Sequence, residues 1–136
     1  MSEKNILGRD LLDIRQNIGV ELGELEGRKI LFTGGAGFLG YEFLHLLASI
    51  GDEDGRIPVD LTIYENFSRG RKSWLSKLSE QSNVSLVEHD ITDPLPECIP
   101  MFDYIIHAAS IASPVFYRKK PIETIDANVN GLRHLL

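Results

Sequence analysis

One cysteine, Cys98, stands among 136 residues, so no disulfide can form within the chain and a reducing, cytoplasmic compartment is the simpler expectation. Cys98 lies between Pro96 and Pro100 with no metal-ligand spacing and no evident activating base, and it reads as inert. No apolar stretch approaches the roughly 20 residues that a membrane-spanning helix needs. Residues 1–27 mix acidic and basic side chains and lack the apolar core of a secretory signal. These absences exclude a membrane partner from the expectation and point to a soluble protein. Basic runs are missing too: 14 Lys and Arg face 20 Asp and Glu, and no basic stripe interleaved with aromatics occurs, which sets nucleic acid aside. His45, His89 and His134 show no convergent ligand spacing, so no metal is expected. Trp74 reads as packing, the acidic surface as solvation, and no internal repeat is found.

The length suits one domain with a core. Leu11, Leu12, Ile14, Ile18 and Leu22 fall mostly on one helical face and predict a leader helix over 10–22, within a helical extension of residues 1–27. The remaining 28–136 alternates strand and helix. Ile30-Leu31-Phe32 is a first strand, followed by a glycine cluster and a helix carrying Phe38, Leu39, Phe43, Leu44, Leu46 and Leu47. Further strands are predicted at 59–64, 84–87 and 104–106, with a short helix within 68–78. Pro121 opens a helix that runs to the last residue. Such alternation implies an α/β fold, a doubly wound parallel sheet of order 3-2-1-4. The helix still in progress at His134-Leu135-Leu136, with no C-cap, suggests an interrupted chain and an incomplete sheet.

Thr33-Gly34-Gly35-Ala36-Gly37-Phe38-Leu39-Gly40 satisfies both the GxGxxG and the GxxGxxG spacing, directly after a strand and before a helix. Glycines allow the tight turn and let backbone approach a pyrophosphate, while the helix offers free N–H groups and a positive dipole end. A side chain at Gly37 would block that approach. This is the Rossmann fingerprint for a dinucleotide, against the alternative of a glycine-rich connector. Glu65, at the end of the second strand, is placed to accept hydrogen bonds from adenosine ribose hydroxyls and to repel a 2′-phosphate, which favours NAD over NADP. Two alternatives stand beside it: Asp60 is nearer the usual spacing of about 20 residues, and Arg69 and Arg71 could attract a phosphate. Asp90 and Ile91 follow the third strand, where the carboxylate either meets an adenine amino group or caps the turn before Thr92. After the fourth strand, Ala108, Ala109 and Ser110 are small enough for a cofactor to lie against the backbone, and His107 reads as packed or capping.

Together these segments resemble, over Arg28–Leu136, the extended short-chain dehydrogenase/reductase family of NAD-dependent epimerases and dehydratases. Tyr64-Glu65-Asn66-Phe67-Ser68-Arg69-Gly70-Arg71-Lys72 is similar to the family's VDNFFTGRK segment, with Glu65 for the usual Asp. The resemblance implies NAD as cofactor, held by Gly34, Gly37, Phe38, Leu39, Gly40, Glu65, Asn66, Arg71, Asp90, Ile91, Ala108, Ala109 and Ser110. Ala112-Ser113-Pro114, Tyr117 and Pro121 resemble the ASPxxYxxxP loop of UDP-glucuronate decarboxylases, which implies Ser113, Tyr117 and Asn128 as contacts for a nucleotide-sugar substrate. A homodimer is also implied, since related enzymes commonly dimerise. In such enzymes NAD oxidises the sugar C4 hydroxyl and returns the hydride after decarboxylation, dehydration or epimerisation.

That chemistry calls for a Tyr-x-x-x-Lys pair, whose lysine lowers the tyrosine pKa for proton exchange. Here Tyr41 has His45 at the lysine position, Tyr64 has Ser68, Tyr104 has Ala108 and Tyr117 has Pro121, so no catalytic residue is assigned. Two other readings therefore stay open for the chain by itself: a non-catalytic NAD-binding module, or an inactive truncated product whose fourth strand leaves an open edge.

Overall fold

A computed structural model describes residues 3–51 and 56–136. Its centre is a four-stranded parallel sheet of order β3-β2-β1-β4, with β1 at Lys29–Thr33, β2 at Asp60–Glu65, β3 at Val84–Glu88 and β4 at Tyr104–His107. The 3-2-1-4 order expected from the alternation of strands and helices is the one observed. Register is continuous: Ile30 pairs with Leu61 and Tyr104, and Leu61 in turn with Val84.

Alternating side chains divide each strand between two faces. Ile30, Phe32, Leu61, Ile63 and Val84 point to one face, where they pack with Leu44, Leu47 and Ala48 of α2 (Phe38–Ala48) and Leu75 and Leu78 of α3 (Ser73–Leu78). Leu31 and Tyr64 point to the other, against Ile91 and Leu135. Leu135 belongs to a helical segment that starts as α5 (Pro121–Ile125), widens through a π turn (Asp126–Asn130) and ends as α6 (Gly131–Leu135). Helices on both faces make the sheet doubly wound.

The N-terminal helix, α1 (Glu3–Gly23), is longer than the apolar pattern predicts and breaks at Ile18, whose φ of −130° and ψ of 28° leave the helical region. Among the described side chains of this region, only Leu22 at its end and Leu25 beyond it pack against the core. The helix expected within 68–78 begins only at Ser73, because Phe67 (φ 52°) and Gly70 (φ 82°) hold the preceding residues in a turn. A short helix not foreseen in the sequence, α4 (Pro114–Lys119), follows β4. It buries none of its residues, so it has no apolar stripe to announce it.

Candidate functional site

The strand order reverses between β1 and β4, and in open α/β sheets ligands bind beyond the carboxyl ends of the strands at that switch. There β1 ends in buried Thr33, and the chain turns at Gly34 with φ of 75°. A Cβ on Gly34 would lie 2.6 Å from the Ala109 Cα, one on Gly35 2.4 Å from Ile63 Cγ2, and one on Gly40 2.1 Å from the Gly35 carbonyl oxygen. Packing therefore requires these three glycines. Gly37 is different: its φ is an ordinary −70°, and a Cβ there would meet only the Gly34 carbonyl oxygen, at 3.1 Å. As the N-cap of α2 it offers no side chain, so the first-turn N–H groups remain available to an anion. Phe38 and Leu39 open that turn with exposed side chains.

At the end of β2, the buried Glu65 carboxylate accepts the Ala36 N–H at 2.9 Å with one oxygen and the Phe67 N–H at 2.9 Å with the other. Asn66 donates from Nδ2 to Asp90 at 2.8 Å, and Asp90 also accepts the Thr92 N–H at 3.0 Å and hydroxyl at 2.7 Å. Burial alone would raise the Asp90 carboxyl. The Thr92 N–H, the Asn66 and Thr92 side chains and nearby His89 outweigh it and hold the group below its ordinary range. Asp90 is thus a turn cap, half-buried just beyond the end of β3. Arg71 lies 4.0 Å over the Phe67 ring and pairs with Glu88, so its charge is already engaged. Asp60, the other candidate ribose acceptor, sits at the opposite end of β2 opposite Lys29. Tyr64 is buried, which pushes its phenol up, the reverse of what an activated tyrosine needs.

At the end of β4, His107 joins two elements. Its Nε2 is 3.1 Å from the Ala127 carbonyl oxygen, which only accepts, so Nε2 carries the proton. Nδ1 is therefore the acceptor for the Thr33 hydroxyl at 2.8 Å, and Thr33 Oγ1 in turn accepts the Ala109 N–H at 3.3 Å. This ties β1 and β4 to the π turn, where Asn128 donates to the Ser110 hydroxyl oxygen at 2.8 Å.

These ends enclose a groove of about 380 Å³. Of the residues singled out from sequence, Gly34, Gly37, Glu65, Asn66, Asp90, Ile91, Ala108, Ala109 and Ser110 line it. Phe38, Leu39, Gly40, Arg71, Ser113, Tyr117 and Asn128 do not. Gly40 is spent on packing. Ser113 caps α4 through its carbonyl, which accepts the Phe116 and Tyr117 N–H groups at 2.9 Å each, and Tyr117 rides on that exposed helix. Ala36, Lys120 and Glu123 line the groove without having been anticipated, and Arg69, weighed above as a phosphate contact, and His89 line it too. His89 packs at a tilt against Tyr64, ring centroids 5.0 Å apart, and its buried Nε2 has no hydrogen-bond partner among the described residues. A larger concavity, about 980 Å³, lies between α1 and the C-terminal end of α2, away from every motif residue.

The model of the NAD dependent epimerase/dehydratase family matches residues 30–136. Curated relatives include UDP-glucuronic acid decarboxylase 1 of Arabidopsis thaliana, 37% identical over 113 residues, covering 81% of this chain and 24% of the relative. UDP-glucuronic acid decarboxylase 1 of Danio rerio is 36% identical over 115 residues, covering 85% of this chain and 25% of the relative. The chain therefore spans about a quarter of the length of these relatives. Among solved structures, the epimerase Mth375 from Methanothermobacter thermautotrophicus superposes with a TM-score of 0.68 at 23% identity, over 89% of this chain and 34% of that one. The UDP-N-acetylglucosamine 4-epimerase from Methanobrevibacter ruminantium gives 0.62 at 23% identity, over 81% and 33%. At that identity the two structures speak for the fold, whereas the family model covers the glycine turn and all four strands: the chain belongs to the NAD dependent epimerase/dehydratase family.

Proposed function

We propose that this chain is the NAD-binding portion of a nucleotide-sugar enzyme, nearest in kind to the UDP-glucuronate decarboxylases. The observation that carries the reading is the groove at the strand switch, where an uncapped helix N-terminus, the Glu65 carboxylate and the Asp90–Ile91 segment line up along the carboxyl ends of β1, β2 and β3. The residues fit the group. Gly37 leaves space that a Cβ would fill, beside N–H groups suited to a pyrophosphate. Buried Nε2 of His89 is left for a partner from outside the protein. Gly34, Gly37, Phe38 and Leu39 would hold the pyrophosphate through backbone, Glu65 and Asn66 the adenosine ribose, and Asp90 and Ile91 the adenine. Ala108, Ala109 and Ser110 would flank the rest.

When bound, NAD would supply a reversible hydride acceptor for the sugar C4 position. What the chain's own residues do is bind, orient and exclude: the carboxylates of Glu65 and Asp90 disfavour a 2′-phosphate, and Arg71 is held by Glu88 away from it. Asn128, tied to Ser110, and Ser113 and Tyr117 on α4 are proposed to face the sugar, with a second copy of the chain as a partner. A second reading, binding without turnover by this chain alone, is favoured by the absence of any Tyr-x-x-x-Lys pair from its sequence.

Calorimetric titration with NAD and NADP tests the proposal. Saturable binding that prefers NAD supports it. A folded chain that binds neither nucleotide removes it.

A further inference from the structure

We propose that Glu65 is a positioning residue, a carboxylate clamp that fixes the glycine turn and the turn after β2 to one another before any ligand arrives. The proposal rests on reading the groove as an NAD site and goes beyond a contact between Glu65 and a ribose.

Three observations converge on it. Glu65 is buried at 9% exposure, and its two oxygens each take a backbone N–H, from Ala36 on one loop and Phe67 on the next. Phe67 holds φ of 52°, the one non-glycine residue in the left-handed region among the described residues. A bulky side chain does not rest there unaided, so something must hold the turn, and the Glu65 bond to its N–H does so. That turn delivers Asn66, Ser68 and Arg69 to the groove, and Asn66 passes the order on to Asp90 through its 2.8 Å bond. One side chain thus links the glycine turn to both walls of the adenosine end.

The chemistry required is specific. An ionised carboxylate is acceptor-only and suits two converging N–H groups, whereas a carboxamide must turn its NH₂ toward one of them. Length matters as well. An aspartate reaches the N–H two residues on, as in an Asx turn. The Ala36 N–H lies on a separate loop, 29 residues away in sequence, and is served by the extra methylene of glutamate. Binding then gains because the loops are ordered in advance and the ligand bears less of that cost.

The test uses the full chain with the substitutions Glu65→Gln and Glu65→Asp, with far-UV spectra and urea unfolding as the check on folding. Amide exchange without ligand is read at Ala36 and Phe67. Loss of one charge-assisted bond should speed exchange at Ala36 by about tenfold in Glu65→Asp, with Phe67 still protected, and at one or both amides in Glu65→Gln. Unchanged exchange at both amides in Glu65→Asp overturns the clamp. So does an Ala36 amide in the unsubstituted protein that exchanges as if unprotected, which needs no variant to fold. In a second arm, ADP and 2′,3′-dideoxy-ADP are titrated into the unsubstituted chain and Glu65→Gln. Equal fractional losses support action through the loops, and a loss confined to ADP assigns Glu65 to the hydroxyls alone and overturns the proposal. If the unsubstituted chain binds neither nucleotide, the NAD reading fails, while the exchange arm still decides the clamp.

Discussion

Gly34 and Ala109 meet backbone to backbone: a Cβ on Gly34 would stand 2.6 Å from the Ala109 Cα and 2.7 Å from its nitrogen. The contact closes the switch between β1 and β4, and it sets the floor on which any ligand in the groove must lie. Because Gly34 also holds φ of 75°, Gly34→Ala suffers both backbone strain and a clash with main chain that cannot swing aside. The two together should cost about 2–5 kcal/mol. Urea unfolding measures this directly, and an unchanged midpoint would show that the loops separate freely.

Gly37 and Gly40 are three residues apart in one motif yet should behave oppositely. Gly40→Ala drives a Cβ to 2.1 Å from the Gly35 carbonyl oxygen, so it should lose about 2–4 kcal/mol of stability. Gly37→Ala has an ordinary φ and one mild contact, and its fold should lose less than about 1 kcal/mol. NAD affinity should nevertheless fall by about tenfold or more in Gly37→Ala, since the new methyl stands where a pyrophosphate would approach. Calorimetry paired with urea unfolding separates the two, and a Gly37→Ala protein that binds NAD normally would refute the assignment.

Much of this was legible because periodic patterns report on burial. The apolar run Ile30-Leu31-Phe32 became β1 with all three residues buried, and the alternation in β2 sent Leu61 and Ile63 to one face and Tyr64 to the other. Residue counting was a poorer guide: the usual spacing favoured Asp60, but Asp60 begins β2 and Glu65 ends it, and the groove lies only at the carboxyl ends. Other features had no signal to read. The partner of Glu65 is the amide of Ala36, and every residue but proline has an amide. Phe67 takes a positive φ without a glycine to announce it, and α4 forms without an apolar stripe. His107 looked like a lone packed histidine, because Thr33 and Ala127 approach it only once β1, β4 and the π turn have come together.

That histidine bridge supplies another test. His107→Phe leaves the Thr33 hydroxyl and the Ala127 carbonyl without their partner, at about 1–3 kcal/mol for each group that stays buried. Thr33→Val removes the first bond from its other side. Because the two residues share one hydrogen bond, the double variant should lose less than the two single losses added together, and a fully additive cycle in urea would mean the bond carries no coupling.

The Asp90 carboxyl predicts how stability responds to acid. Its folded-state pKa lies below the ordinary 3.8, because the hydrogen bonds from Thr92 and Asn66 and the nearby His89 outweigh the opposing effect of burial. As pH falls the unfolded chain takes the proton first, so the stability contributed by Asp90 is fully present above 3.8 and is lost as pH drops through the lower folded value. Asp90→Asn lacks that contribution at every pH. It should be less stable than the unsubstituted chain near neutrality, and the gap should narrow in acid as the native carboxyl is protonated. Urea midpoints for both proteins between about pH 2 and pH 7 measure the gap across the transition. A gap that stays constant over that range would mean that Asn66 and Thr92 hold the protonated carboxyl as well as the charged one, and that the link from the β2 turn to β3 does not depend on charge.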